Sequence, residues 1–277
     1  MSYIFLRFPE FKDKTLTLSY DDGAIYDRKL IEIMNKYGLK GTFNLNSGFF
    51  AEKKDGFHLT KSEAVTLYKN SGQEVALHGA KHLSLAEVDS VVATNDVLSD
   101  RKCLEETFGI PVQGMAYANG SYNDRVVEIL KNCGVRYART VESTERFDIP
   151  SDWLRLPTTC HHNHPDLMEL AKKFLERTSS YYWSKQPKLF YLWGHSYEFN
   201  NDDNWHVIEE FAAYVGGRDD VWYATNGEIC DYVEAYDRLR FGANGDFVYN
   251  PSAINVYLNY YNKQCVVPAG ATVKFEL

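Results

Sequence analysis

The chain has 277 residues, a net charge of −8, and 44% hydrophobic and 25% charged residues, which is ordinary for a globular protein with one large core. It carries no basic cluster and no apolar run approaching about 18 residues, so neither nucleic acid nor a membrane is an expected partner. The N-terminal stretch lacks the apolar core of a signal peptide, which predicts a cytoplasmic protein; an export signal trimmed before Met1 would leave the same sequence.

Hydrophobic periodicity predicts alternating strands and helices along most of the chain. Period-two alternation or short apolar runs predict strands at 15–18, 41–47, 74–77, 112–117, 135–139, 189–192 and 221–224. Helical spacing and capping residues predict helices at 27–37, 60–71, 89–108, 123–133, 165–177, 205–214 and 227–239. This alternation favours a parallel α/β sheet or a (β/α) barrel, and such folds gather their functional side chains at the carboxyl ends of the strands.

The pattern changes after about residue 241, where glycine, proline and asparagine separate short β-type runs. Runs at 254–258 and 272–275 predict a small antiparallel β appendage. We therefore predict two parts, an α/β domain at 1–240 and a β-rich appendage at 241–277. Structural cover is the favoured role of the appendage, with a lid or an oligomer contact as alternatives.

Two carboxylates follow the first predicted strand directly, in the run Asp21-Asp22-Gly23. Adjacent residues at a strand end point in different directions, so one carboxylate could bind a cation while the other faces a substrate or a water molecule. An acidic turn without function is the alternative, because paired aspartates also occur at 202–203 and 219–220.

Two histidines, His78 and His82, follow the third predicted strand with three residues between them. Zinc is commonly held by three nitrogen or oxygen ligands from the protein, and Asp22, His78 and His82 would form such a set. Gly79 stands where the zincin signature requires glutamate, which excludes that class. Two unrelated loop histidines are the alternative.

These residues resemble the polysaccharide deacetylases of carbohydrate esterase family four over roughly residues 13–230. The family's first motif, Thr-Phe-Asp-Asp-Gly, corresponds here to Ser19-Tyr20-Asp21-Asp22-Gly23. Its second motif, His-Ser/Thr-x-x-His, corresponds to His78-Gly79-Ala80-Lys81-His82. Its fifth, Leu-x-Leu-x-His, corresponds loosely to Tyr191-Leu192-Trp193-Gly194-His195.

The resemblance implies a distorted (β/α) barrel of about seven parallel strands and a metal-dependent hydrolase. Asp22, His78 and His82 would hold the metal, most often Zn²⁺. Asp21 would be the general base and His195 the general acid. The implied reaction removes an N-acetyl or O-acetyl group from a carbohydrate, with a water molecule on the metal as nucleophile.

The third family motif, Arg-x-Pro-Tyr, is replaced here by Ala116-Tyr117-Ala118-Asn119-Gly120, which is similar to an atypical subgroup of the family. A backbone N–H survives a change of side chain, so Asn119 could still donate to the oxyanion. The arginine that normally orients the base is missing. Our hypothesis, from position alone, is that Arg139 at the end of the next strand supplies that charge to Asp21.

Candidate substrate contacts are Tyr117, Trp153, Trp193 and His161. Trp153 lies in a weak echo of the fourth family motif, and core packing is its alternative role. The run His161-His162-x-His164 beside Cys160 predicts a loop near the cleft with one substrate-contacting histidine; a second metal site is the alternative. No Cys-x-x-Cys occurs, so the five cysteines are expected as free thiols.

Two other functions remain open from the sequence. One is a hydrolase of non-peptide C–N bonds in a small acylated molecule, favoured by the altered third motif and the absent export signal. The other is a carbohydrate-binding barrel that has lost its activity.

Overall fold

The structure is a computed structural model that describes residues 4–50, 56–176 and 186–275. The strands are β1 (Ile4–Arg7), β2 (Lys14–Asp21), β3 (Gly41–Leu45), β4 (Glu74–Leu77), β5 (Gly114–Ala116), β6 (Tyr137–Ser143), β7 (Leu156–Thr158), β8 (Cys160–His161), β9 (Lys188–His195), β10 (Val221–Tyr223), β11 (Arg240–Phe241), β12 (Phe247–Tyr249), β13 (Val256–Tyr260), β14 (Lys263–Val267) and β15 (Thr272–Lys274). The α-helices are α1 (Asp27–Lys36), α2 (Lys61–Tyr68), α3 (Ser90–Phe108), α4 (Asp124–Asn132), α5 (Leu167–Leu175), α6 (Ser196–Asn201), α7 (Trp205–Val215) and α8 (Asn226–Asp237).

The parallel strands form a nearly closed ring. In order around it, β6, β5, β4, β3, β2 and β9 are hydrogen-bonded neighbours, while β10 pairs with the first half of β2. Only Thr159 separates β7, which pairs with β6, from β8, which pairs with β9. The Thr159 N–H also donates to Tyr191 O at 2.9 Å. Taken together, β7 and β8 close the ring as one broken strand, which confirms the predicted distorted barrel.

The predicted elements agree with the structure apart from their ends and a few short pieces. The capping box of Thr60 and Glu63 begins α2, and the Asn123 side chain caps α4. Strands β7 and β8 were not predicted because three and two residues are too short to show a period, and Pro157 interrupts the pattern. The predicted helix at 165–177 is α5, and residue 177 lies outside the described part of the chain.

The barrel interior is polar, unlike the layer between the strands and helices. On β2, Leu16, Leu18 and Tyr20 belong to the main apolar core. Residues at alternate positions point to the opposite face of a strand, and there Thr17 bonds to Asn226 at 2.9 Å. Asn226 also bonds to Tyr191 at 2.6 Å, so the start of α8 plugs the amino end of the barrel. Asp21 is the last residue of β2 on this polar face.

The C-terminal segment contributes to two small antiparallel sheets, with strand orders β1-β13-β14 and β11-β12-β15. This confirms the predicted β appendage as part of the fold. Strand β1 comes from the N-terminus and β11 spans positions 240 and 241, so the division into 1–240 and 241–277 stays a prediction. No helix in the described ranges is long and apolar enough to cross a membrane.

Asp27 at the start of α1 is fully buried, and the Tyr68 hydroxyl of α2 donates to its Oδ2 at 2.5 Å. Burial raises the pKa of Asp27 to about 7, although the hydrogen bond opposes the shift. The carboxyl group therefore binds a proton more tightly in the folded chain than in the unfolded chain. Its contribution to stability is complete below pH 4 and is lost as the pH rises through about 7.

We expect Asp27→Asn to remove this pH dependence. The variant should match the wild type in urea unfolding near pH 4 and should gain on it steadily as the pH rises to about 7. At pH 8.5 it should be the more stable by up to about 4 kcal/mol, since the amide needs no proton. The exposed Asp219→Asn changes the net charge equally and should show no such divergence. Parallel stability curves for Asp27→Asn and the wild type would contradict the prediction.

Candidate metal centre and active site

Asp22, His78 and His82 converge at the carboxyl end of the barrel. Asp22 Oδ1 lies 3.5 Å from His78 Nε2 and 3.6 Å from His82 Nε2. All three donor atoms lie within 4.8 Å of one another. Ligands of a tetrahedral zinc ion stand roughly 3.4 Å apart, given bond lengths of about 2.0–2.1 Å. The spacing of the donors therefore fits a small divalent ion.

The tautomer of His78 suits a metal ligand. Its Nδ1 lies 2.9 Å from Ala116 O, and since a carbonyl can only accept, Nδ1 carries the proton. The Nε2 lone pair is then free and faces Asp22. Burial also lowers the pKa of His78, which favours the neutral ring. Asp22 Oδ1 is buried and has no hydrogen-bond partner in the described part of the chain. The donors thus fit a cation in both geometry and protonation.

Two carboxylates of α3 hold the loop that carries the histidines. Asp100 accepts from the backbone N–H of His78 at 3.1 Å, and Asp96 accepts from that of Lys81 at 3.0 Å. Gly79 has a φ of +81°, and a Cβ there would lie 2.6 Å from Asp96 Oδ2. The left-handed backbone at Gly79 and the closeness of Asp96 therefore both favour glycine at this motif position.

Two of the three candidate ligands, Asp22 and His82, adopt unusual backbone conformations. Asp22 has a φ of 75° and His82 a φ of 54°, both in the left-handed region that non-glycine residues rarely occupy. Such residues cost about 1 kcal/mol or more each and cluster at functional sites. The conformations are what turn the Asp22 and His82 side chains toward His78.

Asp21 is buried beside this centre and forms an ion pair with Arg139. Asn44 Nδ2 donates to Asp21 Oδ1 at 2.8 Å. Burial alone would raise the pKa of Asp21, but the positive charge of Arg139, aided by His78, His195 and Asn44, lowers it overall. Asp21 is therefore an ionised carboxylate whose position is set by two partners.

His195 completes the group, with Nε2 3.9 Å from Asp21 Oδ2 and 4.0 Å from Asp22 Oδ2. Its Nδ1 lies 3.2 Å from Glu198 Oε1. Burial lowers the pKa of His195, but Glu198, Asp21 and Asp22 more than offset this and raise it overall. The Nε2 edge of the His195 ring thus faces Asp21 and Asp22, and the Nδ1 edge faces Glu198.

Glu198 also faces two further imidazoles. Its Oε2 lies 3.2 Å from His161 Nε2 and 3.1 Å from His162 Nε2. Burial alone would raise the pKa of Glu198, but the three histidines hold it well below its ordinary range. Glu198 therefore links the His161–His162 segment to the end of β9.

The other sequence-predicted residues divide into two groups. Trp193 lies in the site, with the Arg139 guanidinium 4.4 Å from its ring centre and the His161 ring 4.6 Å away. Tyr117 is buried, and its hydroxyl donates to Leu154 O at 2.8 Å, so it has no free face for a substrate. Trp153 packs against the apolar cluster that contains Tyr137 and Leu189, which lie at or near the starts of β6 and β9, at the amino end of the barrel.

Asn119 is exposed in a short 3-10 turn, three residues after Ala116, with a φ of 55°. Its side chain donates to Ser84 Oγ at 3.2 Å. The backbone N–H assigned to the oxyanion stays a prediction.

Sequence reasoning missed Asn44, Glu198 and the α3 pair Asp96 and Asp100. Asn44 could have been found, because it alternates toward the barrel interior on β3, next to Asp21 on β2. Glu198 stands one helical turn after His195, a spacing at which side chains meet on a helix. Asp96 and Asp100 carry no such signal.

The barrel and its site define the class of protein: a distorted (β/α) barrel with a carboxylate–imidazole centre at the carboxyl ends of its strands. Residues 9–138 match the family model described as polysaccharide deacetylase. Over that stretch the chain is similar to the polysaccharide deacetylase family, which confirms the resemblance predicted from its motifs. The atypical subgroup stays a prediction.

Solved structures of the same fold are similar to the chain. A candidate polysaccharide deacetylase from Mycobacterium smegmatis has 18% identity and a TM-score of 0.59, with 84% of this chain and 94% of that chain covered. A family 4 carbohydrate esterase from Streptomyces lividans, in complex with acetate, has 13% identity and a TM-score of 0.52, with 76% and 91% covered. A mutant of a family 4 pseudoenzyme with restored activity has 14% identity and a TM-score of 0.52, with 82% and 70% covered. No curated protein matches the sequence.

The Asp21–Arg139 pair should contribute strongly to stability. We expect Arg139→Met to cost about 3–5 kcal/mol in urea unfolding, because it leaves a buried carboxylate uncompensated. Adding Asp21→Asn should recover more than about 1 kcal/mol, since the unpaired charge is then gone. The exposed pair Lys36–Glu209 serves as the control cycle and should show no measurable coupling. Additive losses at Asp21 and Arg139 would show that the two side chains act independently.

Proposed function

We propose that the protein is a metal-dependent hydrolase that removes N-acetyl, or O-acetyl, groups from a carbohydrate. The observation that carries this proposal is the convergence of Asp22, His78 and His82 beside Asp21 and His195. The family match supports a deacetylase-type hydrolase. The donor set, two imidazoles and one carboxylate, is a common one for catalytic zinc.

Asp22, His78 and His82 would hold the metal ion, and this set of nitrogen and oxygen donors favours Zn²⁺ among divalent ions. The ion, when bound, supplies polarisation of the acyl carbonyl and of the attacking water. Asp21 takes a proton from that water. Its ion pair with Arg139 keeps it ionised and fixes its orientation, which is the role proposed for Arg139.

His195 gives a proton to the departing amine or alcohol oxygen. An amine is a poor leaving group unless it is protonated, so the reaction needs an acid. Glu198 favours the protonated ring of His195, because its carboxylate lies against Nδ1. The backbone N–H of Asn119 would donate to the oxyanion, and Trp193 and His161 would contact the sugar.

Two alternative functions remain proposals. A hydrolase of non-peptide C–N bonds would use the same residues on a small molecule, and an inactive barrel would bind sugar without turnover. Carbohydrate deacetylation is distinguished from C–N bond hydrolysis in a small molecule by comparing two assays. One measures acetate release from chitin oligomers, peptidoglycan fragments and acetylxylan, and the other measures hydrolysis of small cyclic amides. Sugar binding without a metal ion or turnover would favour the third.

Asp22→Ala should abolish both metal binding at this centre and turnover, because it removes the only carboxylate of the proposed set. Metal content after dialysis and acetate release from the active substrate measure the two effects. Asp202→Ala, in an exposed pair of aspartates, is the matched control and should change neither. Full activity of a metal-free Asp22→Ala protein would refute the proposed function.

His195→Gln tests the general acid. We expect its kcat on an N-acetylated sugar to fall by about 10²–10⁴, because the amine then leaves without a proton. A nitrophenyl acetate ester needs no such proton, so its hydrolysis should fall far less. Equal losses on both substrates would show that His195 has a role other than protonating the leaving group.

A further inference from the structure

A second cluster of ligand-type atoms lies beside the centre already described. His161, His195 and Glu198 each offer one donor atom, and these atoms lie within 4.8 Å of one another. Glu198 Oε2 is 3.2 Å from His161 Nε2, and Glu198 Oε1 is 3.2 Å from His195 Nδ1. Two imidazoles and one carboxylate form the same donor set as Asp22, His78 and His82, on different elements of the fold.

A fourth side chain points into this cluster. His162 is fully buried, and neither of its ring nitrogens makes a hydrogen bond in the described ranges. Its Nε2 lies 3.1 Å from Glu198 Oε2. A buried ring nitrogen without a hydrogen bond costs free energy, and the His162 ring lies against this cluster.

We propose that His161, His195 and Glu198 form a second cation site, for a divalent ion of the zinc class. It is distinct from the site of Asp22, His78 and His82, and the side of His195 that takes part is Nδ1, away from that centre. The His162 ring lies at the edge of the cluster and supports Glu198.

The second site should bind more weakly than the first. The backbone N–H of Asn163 donates to His161 Nδ1 at 3.2 Å, so without an ion His161 carries its proton on Nε2, facing Glu198. An ion must displace that proton and shift the ring to the other tautomer, at the expense of the Asn163 contact. His78 has the opposite arrangement, since Ala116 O already fixes its Nε2 as the free nitrogen.

Occupation of this site would inhibit the enzyme, a consequence that rests on the proposed function. An ion on His195 Nδ1 prevents the ring from becoming the doubly protonated acid that gives a proton to the leaving group. The protein should therefore be active with one ion per chain and lose activity when a second, weaker ion binds.

The test is zinc binding to the whole chain, by equilibrium dialysis with metal analysis, which needs no substrate. The wild type should bind two Zn²⁺ ions in two separate steps. Asp22→Ala should lose the tight step and keep the weak one. Glu198→Gln and His161→Gln should keep the tight step and weaken the other by more than about tenfold.

His164→Gln is the matched control, because His164 lies next to the cluster but pairs with Glu145 at 3.4 Å. It should bind both ions as the wild type does. Circular dichroism of each variant establishes that it is folded. If Glu198→Gln does not fold, His161→Gln alone tests the second site. One zinc ion per wild-type chain, or a weak step that survives both Glu198→Gln and His161→Gln, would overturn the proposal.

Activity then separates this inference from the proposed function. Zinc in excess of one ion per chain should inhibit acetate release, and His161→Gln should move the inhibition to at least tenfold higher zinc, relative to its own maximum rate. If the protein binds zinc in two steps but releases no acetate, the proposed function is refuted and the second cation site is supported. Acetate release with a single binding step would do the reverse.

Discussion

The buried ion pair of Asp21 and Arg139 is the interaction on which the site depends. Asp21 ends β2, and Arg139 reaches it from β6, which is not a neighbour of β2 in the ring. The Arg139 guanidinium also lies over the ring of Trp193 on β9. Burying a carboxylate without a partner would favour its protonation, which would leave Asp21 neutral. One pair therefore connects three strands across the interior and keeps Asp21 charged.

The histidines of the site differ in protonation because different groups contact their ring nitrogens. A carbonyl behind His78 leaves Nε2 free for a metal ion, whereas a carboxylate behind His195 favours a proton on both nitrogens. The backbone N–H behind His161 places its proton toward Glu198. Chemically identical side chains thus differ in the nitrogen that carries the proton, because single atoms of their surroundings differ.

The barrel strands and most of the candidate site could be predicted from the sequence, because they depend on local sequence patterns. Asp22, His78 and His82 each follow a strand that its periodicity reveals, and parallel strands bring such positions together. The link from Arg139 to Asp21 was reached from position alone, and the ion pair joins these two residues. The broken strand β7–β8 and the supporting residues Asp96 and Asp100 depend on packing between distant segments, which leaves no period in the sequence.

Tyr117 and Trp153 show where prediction of substrate contacts from the sequence is limited. Both are aromatic residues near family motifs, yet one bonds to a backbone carbonyl in the interior and the other packs at the amino end of the barrel. An aromatic residue near a motif indicates an apolar contact, but the sequence does not distinguish a contact with substrate from a contact in the core.

Small residues in the motifs show how packing shapes the chemistry. A Cβ at Gly194 would lie 2.0 Å from His162 Nδ1, so the absence of a side chain before His195 is what lets the His162 ring rest against β9. That ring also stacks on Phe199 of α6, with ring centres 4.0 Å apart. The contact holds His162 against α6, the helix that carries Glu198. Gly79 does the same for Asp96, and through it for the loop of His78 and His82. In both motifs the absence of a glycine side chain leaves room for a side chain from elsewhere in the fold, His162 at Gly194 and Asp96 at Gly79.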